Sequence, residues 1–317
     1  MVRSKTLLLI DGNSLFHRAY HAIPFLTDKS GEVANAVFGF SNMLIKALNQ
    51  VGPDYVACAF DTAAPTFRHI EFEKYKAQRV APPPDLYPQL PKVKKVLDAF
   101  GIKYFEKEGY EADDLLATLA SKCKVRREKG KVDQVIILSG DRDTLQLVDG
   151  DIKVQMPGWN LRETTLYGAK EVRGKFGLEP HQMVDYKSLT GDPSDNVPGI
   201  LGIGPKTASS LLKKYHTLEN LFEHLGEIDD KLRTKLATGK EIALAAKKLV
   251  ELDRNVDIEF RVESLEFSPN WEKVRSEYEE LGFKSIVAKL LLGEASKVRE
   301  VQEESKVKDN SDQLELI

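Results

Sequence analysis

Apolar and polar positions along the chain alternate between two patterns. Unbroken apolar runs at Thr6-Leu7-Leu8-Leu9-Ile10, Tyr55-Val56-Ala57-Cys58-Ala59-Phe60 and Gln134-Val135-Ile136-Ile137-Leu138 have the length of strands buried on both faces. Ile102-Lys103-Tyr104-Phe105 and Asp151-Ile152-Lys153-Val154-Gln155-Met156 read as two more. Between them, residues 37–48, 91–100 and the stretch from Gly109 to Ala120 carry apolar positions at helical spacing. Strands alternating with helices predict an α/β fold, a mostly parallel sheet flanked by helices. From about Leu178 the pattern becomes helical only, with helices expected over 211–225, 232–252 and near 271–292. The expected organisation is therefore an α/β core over 1–178 interrupted by an insertion at about 62–91, a helical region over 179–293, and a charged, aromatic-poor tail over 294–317 that reads as disordered or a linker.

At 317 residues and 42% hydrophobic, the chain can bury a sizeable core, as a monomer. No apolar run approaches the roughly 20 residues of a membrane span, and no signal peptide opens the sequence, so the expected location is cytoplasmic, with no membrane partner. Two cysteines are too few for a disulfide framework or a zinc site. A net charge of -3 does not announce a nucleic-acid binder, but an average can hide basic patches behind a cluster of acids.

Such a cluster is present. Asp11, Asp61 and the pair Asp141 and Asp143 each close a strand, and in open parallel sheets ligands collect outside those ends. Any one of these acids alone is a turn or cap residue. Glu111-Ala112-Asp113-Asp114, however, crowds three more at the mouth of a helix, where like charges repel unless a cation sits among them. Asp192 and Asp195 add two in a rigid Gly/Pro loop. All-oxygen donors suit Mg²⁺, or Mn²⁺ in its place, rather than zinc. So many exceed the needs of one ion, and two ions could clamp the attacking and leaving oxygens of a phosphodiester and activate water. The six histidines lack metal-ligand spacing and no Gly-x-Ser-x-Gly elbow is present.

Cations follow in the insertion. Lys76 and Arg79 lie one turn apart if the segment is helical, with Arg68 further back; they could meet a scissile phosphate or form a solvated charged surface. Tyr75 and Tyr20 could stack on bases or belong to the core. In Gly202-Ile203-Gly204-Pro205-Lys206-Thr207, Pro205 rules out a P-loop. A proline opening a helix after a Gly-x-Gly turn instead directs backbone N–H groups outward as a phosphate cradle, unless the turn is only a tight corner.

Taken in order, Leu9-Ile10-Asp11-Gly12-Asn13-Ser14, Ala59-Phe60-Asp61, Phe67-Arg68, Tyr75-Lys76-Ala77-Gln78-Arg79, Glu111-Ala112-Asp113-Asp114, Gly140-Asp141-Arg142-Asp143, Gly191-Asp192-Pro193-Ser194-Asp195-Asn196 and the Gly202–Thr207 run resemble the 5′ nuclease (5′-3′ exonuclease) domain of bacterial DNA polymerase I, of the flap endonuclease family. The resemblance spans about residues 5–290 and implies a PIN-like core, a helical arch and a helix–two-turn–helix. By it, Asp11, Asp61, Glu111 and Asp113 would hold one metal, and Asp141, Asp143 and Asp195 a second, with Asp192 and Asp114 supporting. Lys76, Arg79 and Arg68 would be catalytic cations. Gly202, Ile203, Gly204, Lys206 and Thr207 would grip duplex DNA, in some relatives through K⁺. The implied activity is removal of 5′ flaps and RNA primers from nicked or branched DNA and RNA primer–DNA hybrids in Okazaki fragment maturation and repair.

With no polymerase domain following, the chain reads as a stand-alone nuclease or a fragment. Gln313-Leu314-Glu315-Leu316-Ile317 resembles a sliding-clamp peptide, or is the first strand of a next domain. Two other functions compete: a single-strand RNase of related design, and a DNA-binding subunit without turnover.

Overall fold

The computed structural model describes residues 4–125, 132–158 and 163–291. The expected disordered tail and the Gln313–Ile317 peptide lie outside them. Strands β1 (Thr6–Asp11), β2 (Tyr55–Ala59), β3 (Lys103–Phe105), β4 (Gln134–Leu138), β5 (Ile152–Pro157) and β6 (Thr164–Tyr167) form one sheet in the order β3-β2-β1-β4-β5-β6. All neighbours pair in parallel except β5 and β6. The strand order reverses between β1 and β4, which makes the carboxyl ends of these two strands the natural crevice of the fold.

Among the described residues the α-helices before Gly282 follow the same chain order: α1 (Gly12–Ala22), α2 (Asn35–Val51), α3 (Phe67–Glu71), α4 (Leu90–Phe100), α5 (Ala112–Val125), α6 (Ala169–Phe176), α7 (Met183–Thr190), α8 (Pro205–Tyr215), α9 (Leu218–Glu223), α10 (Asp230–Val250) and α11 (Trp271–Leu281). The strand period of two divides β1 between two cores. Leu8 and Ile10 pack with α1, α2, α4 and α11, whereas Leu7 and Leu9 pack with α5 on the opposite face. A third apolar cluster joins α7, α8, α9 and α10 into the helical region.

The chain departs from expectation in four places. β6 lacks an apolar run because it is an edge strand, with Leu166 exposed. The helix expected over 211–225 breaks at His216, whose φ is 66°, and restarts at a Thr217 cap. The last helix breaks at Gly282, φ 78°, before residues 284–291 resume it. Residues expected to stay in the helical region instead return to the sheet: Leu252, Val256, Val262 and Leu265 cover one face, Tyr278, Phe283 and Ile286 the other.

Candidate metal centre

Each acid is delivered by the end of an element, and each helps to build that end. Asp11 closes β1 and caps α1, its Oδ1 accepting from the Ser14 N–H at 2.9 Å and its Oδ2 from Ser139 Oγ at 2.6 Å. Asp61 follows β2; its Oδ1 accepts from the Ala112 N–H at 2.7 Å and its Oδ2 from Asn13 Nδ2 at 2.8 Å, which ties the mouth of α5 to the start of α1. Asp141 caps a short 3₁₀ helix, Arg142–Leu147, by accepting from the Asp143 N–H at 2.9 Å. Past α7, Asp192 accepts from the Ser194 N–H at 2.9 Å and turns Asp195 inward. Caps and turns are thus half of the explanation for these acids. The other half is their convergence.

Carboxylate oxygens of Asp143, Asp192 and Asp195 lie within 4.8 Å of one another. Asp11, Asp61, Glu111, Asp113 and Asp141 line a neighbouring cavity of about 940 Å³, walled by His17, Arg18 and His21 and overhung by Lys76, Arg79 and residues 80–83. Lys76 bridges the two groups, its Nζ 2.6 Å from Glu111 Oε1 and 3.8 Å from Asp195 Oδ2. Arg79 pairs with Asp195 at 2.6 Å, and Lys187 with Asp143 and, at 2.7 Å, with Asp192.

Eight carboxylates therefore share the site with Lys76, Arg79, Lys187 and, in the wall, Arg18, and their protonation reflects the imbalance. Burial, with the charges of Asp61 and Asp141 adding to it, raises Asp11 to about 7 against its bonds from Ser139 and Ser14. Burial raises Asp113 well above the usual carboxylate range, helped by Asp11, Asp141 and Glu111. It raises Asp61 and Asp141 as well. At Asp192 burial is outweighed by Lys187 and bonds from Ser194, so that its carboxyl titrates low. Asp113 Oδ1 is buried without a hydrogen-bond partner. A buried oxygen of this kind is costly unless something positive completes it. The donor set is all oxygen, and the residues fit a hard divalent cation.

Several sequence expectations are corrected. Arg68 is not an arch cation: it is 1% exposed and locked onto Asp114, both Nη atoms 2.7 Å from the carboxylate oxygens. Asp114 is not a metal ligand, because its two oxygens are filled by Arg68 and by the Glu111 and Asp253 N–H groups. Tyr75 does not offer its ring to a base. It is buried and its hydroxyl donates between Glu111 Oε2 and Asp195 Oδ2, at 3.1 and 3.3 Å. Tyr20 is half-buried against the core and donates to Asp85 at 2.7 Å. Within the insertion α3 ends at Glu71, residues 73–78 form turns and Lys76 has φ 54°, so Lys76 and Arg79 converge through a turn and not a helix face.

Gly202, Gly204 and Lys206 are exposed at the start of α8, with Gly202 at φ 80°, a conformation that favours glycine, and Thr207 half-buried. Ile203 is buried and anchors the turn in the helical core. Sequence reasoning missed Lys187, a lone lysine on an ordinary helix. Arg18, His17 and His21 belong to no strand-end signal either, and only the fold brings them to the cavity wall.

Residues 6–177 match the family model described as 5′-3′ exonuclease, N-terminal resolvase-like domain, and residues 178–273 the one described as 5′-3′ exonuclease, C-terminal SAM fold. DNA polymerase I of Caldicellulosiruptor bescii is 39% identical over 308 residues, 96% of this chain and 35% of the relative. The thermostable DNA polymerase I of Thermus thermophilus is 40% identical over 297 residues, 93% of this chain and 34% of the relative. The chain thus spans about a third of the length of these curated relatives. Among solved structures, T5 5′-exonuclease with bound zinc aligns with a TM-score of 0.61 at 19% identity, covering 90% of this chain and 97% of the other. The catalytic core of Rad2 in complex with DNA substrate aligns with a TM-score of 0.57 at 18% identity, covering 91% and 93%. Those two likenesses are of fold. The two family models, adjoining at residue 178, establish that the chain belongs to the 5′-3′ exonuclease family.

Proposed function

We propose that the chain is a structure-specific 5′-3′ exonuclease and 5′-flap endonuclease that hydrolyses phosphodiester bonds with two Mg²⁺ ions. The observation that carries this is the unpartnered Asp113 oxygen among mutually repelling acids at the carboxyl edge of the sheet. Asp11, Asp61, Glu111 and Asp113 would hold one ion, and Asp141, Asp143 and Asp195 the other, with Asp192 supporting. Such ions, when bound, neutralise a phosphodiester and activate water.

The chain's own side chains supply the rest. Lys76 and Arg79 exchange Glu111 and Asp195 for the oxygens of an incoming phosphate, a trade between charge-assisted partners that leaves the acids to the metals. Arg79, its side chain 52% exposed, meets the strand first. Lys187 keeps Asp143 and Asp192 from repelling each other while the site is being filled. The Gly202–Thr207 turn and the N–H groups opening α8, which no side chain caps, would meet duplex phosphates, and K⁺ held by this turn would add positive charge to the grip. This grip on the backbone needs no base sequence.

The relatives' name, DNA polymerase I, the zinc bound to T5 5′-exonuclease and the DNA bound to Rad2 support a role on flapped, nicked or RNA-primed DNA in replication and repair. Docking on a sliding clamp through Gln313–Ile317 and action as a monomer belong to the same proposal. No described helix is long and apolar enough to cross a membrane.

A 5′-flapped duplex and a free RNA strand of equal length, each incubated with and without Mg²⁺, form the test. The proposal expects Mg²⁺-dependent cut of the flap junction, little cut of the RNA, and loss of about 100-fold or more in Asp141→Asn. Preferential cleavage of RNA would favour the single-strand RNase reading, and flap binding without cleavage the non-catalytic one.

A further inference from the structure

Where α10 ends, the Leu249, Val250 and Glu251 carbonyls and the Leu252 and Asp253 N–H groups are met by side chains from other parts of the chain. Arg68 donates through Nε to the Leu249 carbonyl at 2.7 Å and through Nη2 to the Glu251 carbonyl at 2.9 Å. Gln146 donates through Nε2 to the Val250 carbonyl at 2.9 Å and accepts from the Leu252 N–H through Oε1 at 3.0 Å. Asp114 accepts from the Asp253 N–H at 2.9 Å. All three side chains are buried, and buried polar backbone satisfied this fully holds one geometry.

Their positions in the chain matter as much as their bonds. Asp114 adjoins Asp113 in the first turn of α5, and its other oxygen holds the Glu111 N–H at 3.1 Å. Gln146 sits in the 3₁₀ helix that Asp141 caps and that contains Asp143. The same five-residue segment is therefore tied to the start of each acidic group. α10 also packs on α7, which carries Lys187 and leads to Asp192 and Asp195.

We infer that residues 249–253 are a brace that sets the distance between the two carboxylate groups, with Gln146 as a positioning residue for the Asp141–Asp143 group and Arg68, through Asp114, for the Glu111–Asp113 group. This rests on the two-ion reading of the site. Groups that orient metal ligands from outside are worth about 10- to 100-fold in metal affinity. Gln146 appears in no motif, because its partners are backbone atoms more than 100 residues away.

A tie that only stabilises the end of α10 would behave differently, and the fold supplies the control. Lys122, further along α5, donates to the Val256 and Ile258 carbonyls at 3.1 and 3.0 Å, holding the chain just beyond that segment at about 13 Å of helix from Asp113. The experiment titrates Mn²⁺ into the full chain without DNA, following free Mn²⁺ by electron paramagnetic resonance, well below the unfolding temperature of every variant. Wild type binds two ions. Gln146→Met keeps the side chain's length, loses both hydrogen bonds, and weakens one of the two sites about tenfold; Lys122→Met leaves both sites unchanged. Cleavage by Gln146→Met recovers when Mn²⁺ is raised by the same factor. If Gln146→Met binds both ions as wild type does, or Lys122→Met weakens them equally, the segment is a structural tie and the inference is overturned. Fewer than two ions on the wild type overturns the two-ion reading itself, and the brace with it.

Discussion

Asp114→Asn removes a charge and almost nothing of a side chain's volume, beside a guanidinium that is 1% exposed. In the native protein two Arg68 nitrogens meet Asp114 oxygens at 2.7 Å, and those oxygens also accept from two N–H groups. Asparagine turns one acceptor into a donor facing donors, and leaves Arg68 charged and buried with the Leu249 and Glu251 carbonyls and the Glu111 carboxylate at 3.6 Å. Removing one partner of a buried pair costs about 3–5 kcal/mol, and the two remaining carbonyls place this case near the lower end. The exposed pair Lys94–Glu106, with side chains 24% and 31% exposed, is worth under about 1 kcal/mol. Urea unfolding in EDTA, followed by circular dichroism, compares Asp114→Asn with Glu106→Gln. We expect a loss of about 3 kcal/mol for the first and under about 1 kcal/mol for the second. EDTA makes the result diagnostic, since neutralising an acid that is held for a metal relieves repulsion and raises metal-free stability. Asp114→Asn that is as stable as wild type, or more so, would refute the structural assignment of this pair.

Other consequences follow from the same balance of charges. Asp113→Asn should stabilise the protein in EDTA, by a urea midpoint, and abolish the further stabilisation that wild type gains from Mg²⁺. Burial holds Asp11 protonated up to about 7, above its unfolded value of 3.8, so its contribution favours folding below about pH 4 and is lost as pH rises to about 7. Unfolding midpoints in EDTA at pH 5 and pH 8 should show that decline in wild type and lack its Asp11 share in Asp11→Asn. Lys76→Met should cut flap cleavage about 100-fold without weakening Mn²⁺ binding in the absence of DNA, because the lysine competes with metal for Glu111. Gly202→Ala, forced to φ 80°, should cost about 1 kcal/mol and weaken duplex binding by fluorescence anisotropy.

Legibility in the sequence followed how local each signal was. β1, β2 and β4 could be read from four or five consecutive apolar residues because both faces of the sheet are covered. The carboxylates could be read because topology puts every parallel strand's end on one rim, so Asp11, Asp61 and Asp141 needed no further information to converge. Arg68 was misread because nothing near it in sequence distinguishes a solvated arginine from one paired with Asp114 and with carbonyls more than 180 residues on. Tyr75 was left between a base contact and the core for a related reason: the left-handed Lys76 turns the segment back on the acids, and a basic stretch gives no sign of such a turn. Lys187 and Gln146 act through partners chosen by the tertiary fold alone.

Anomalous scattering from crystals of the chain equilibrated with Mn²⁺ tests the central claim most directly. The account predicts two manganese peaks per chain, one touching Asp113 and Glu111 and the other among Asp143, Asp192 and Asp195, with Lys76 and Lys187 displaced from the oxygens they now hold. Peaks elsewhere, or none at this rim with those lysines still in place, would contradict it.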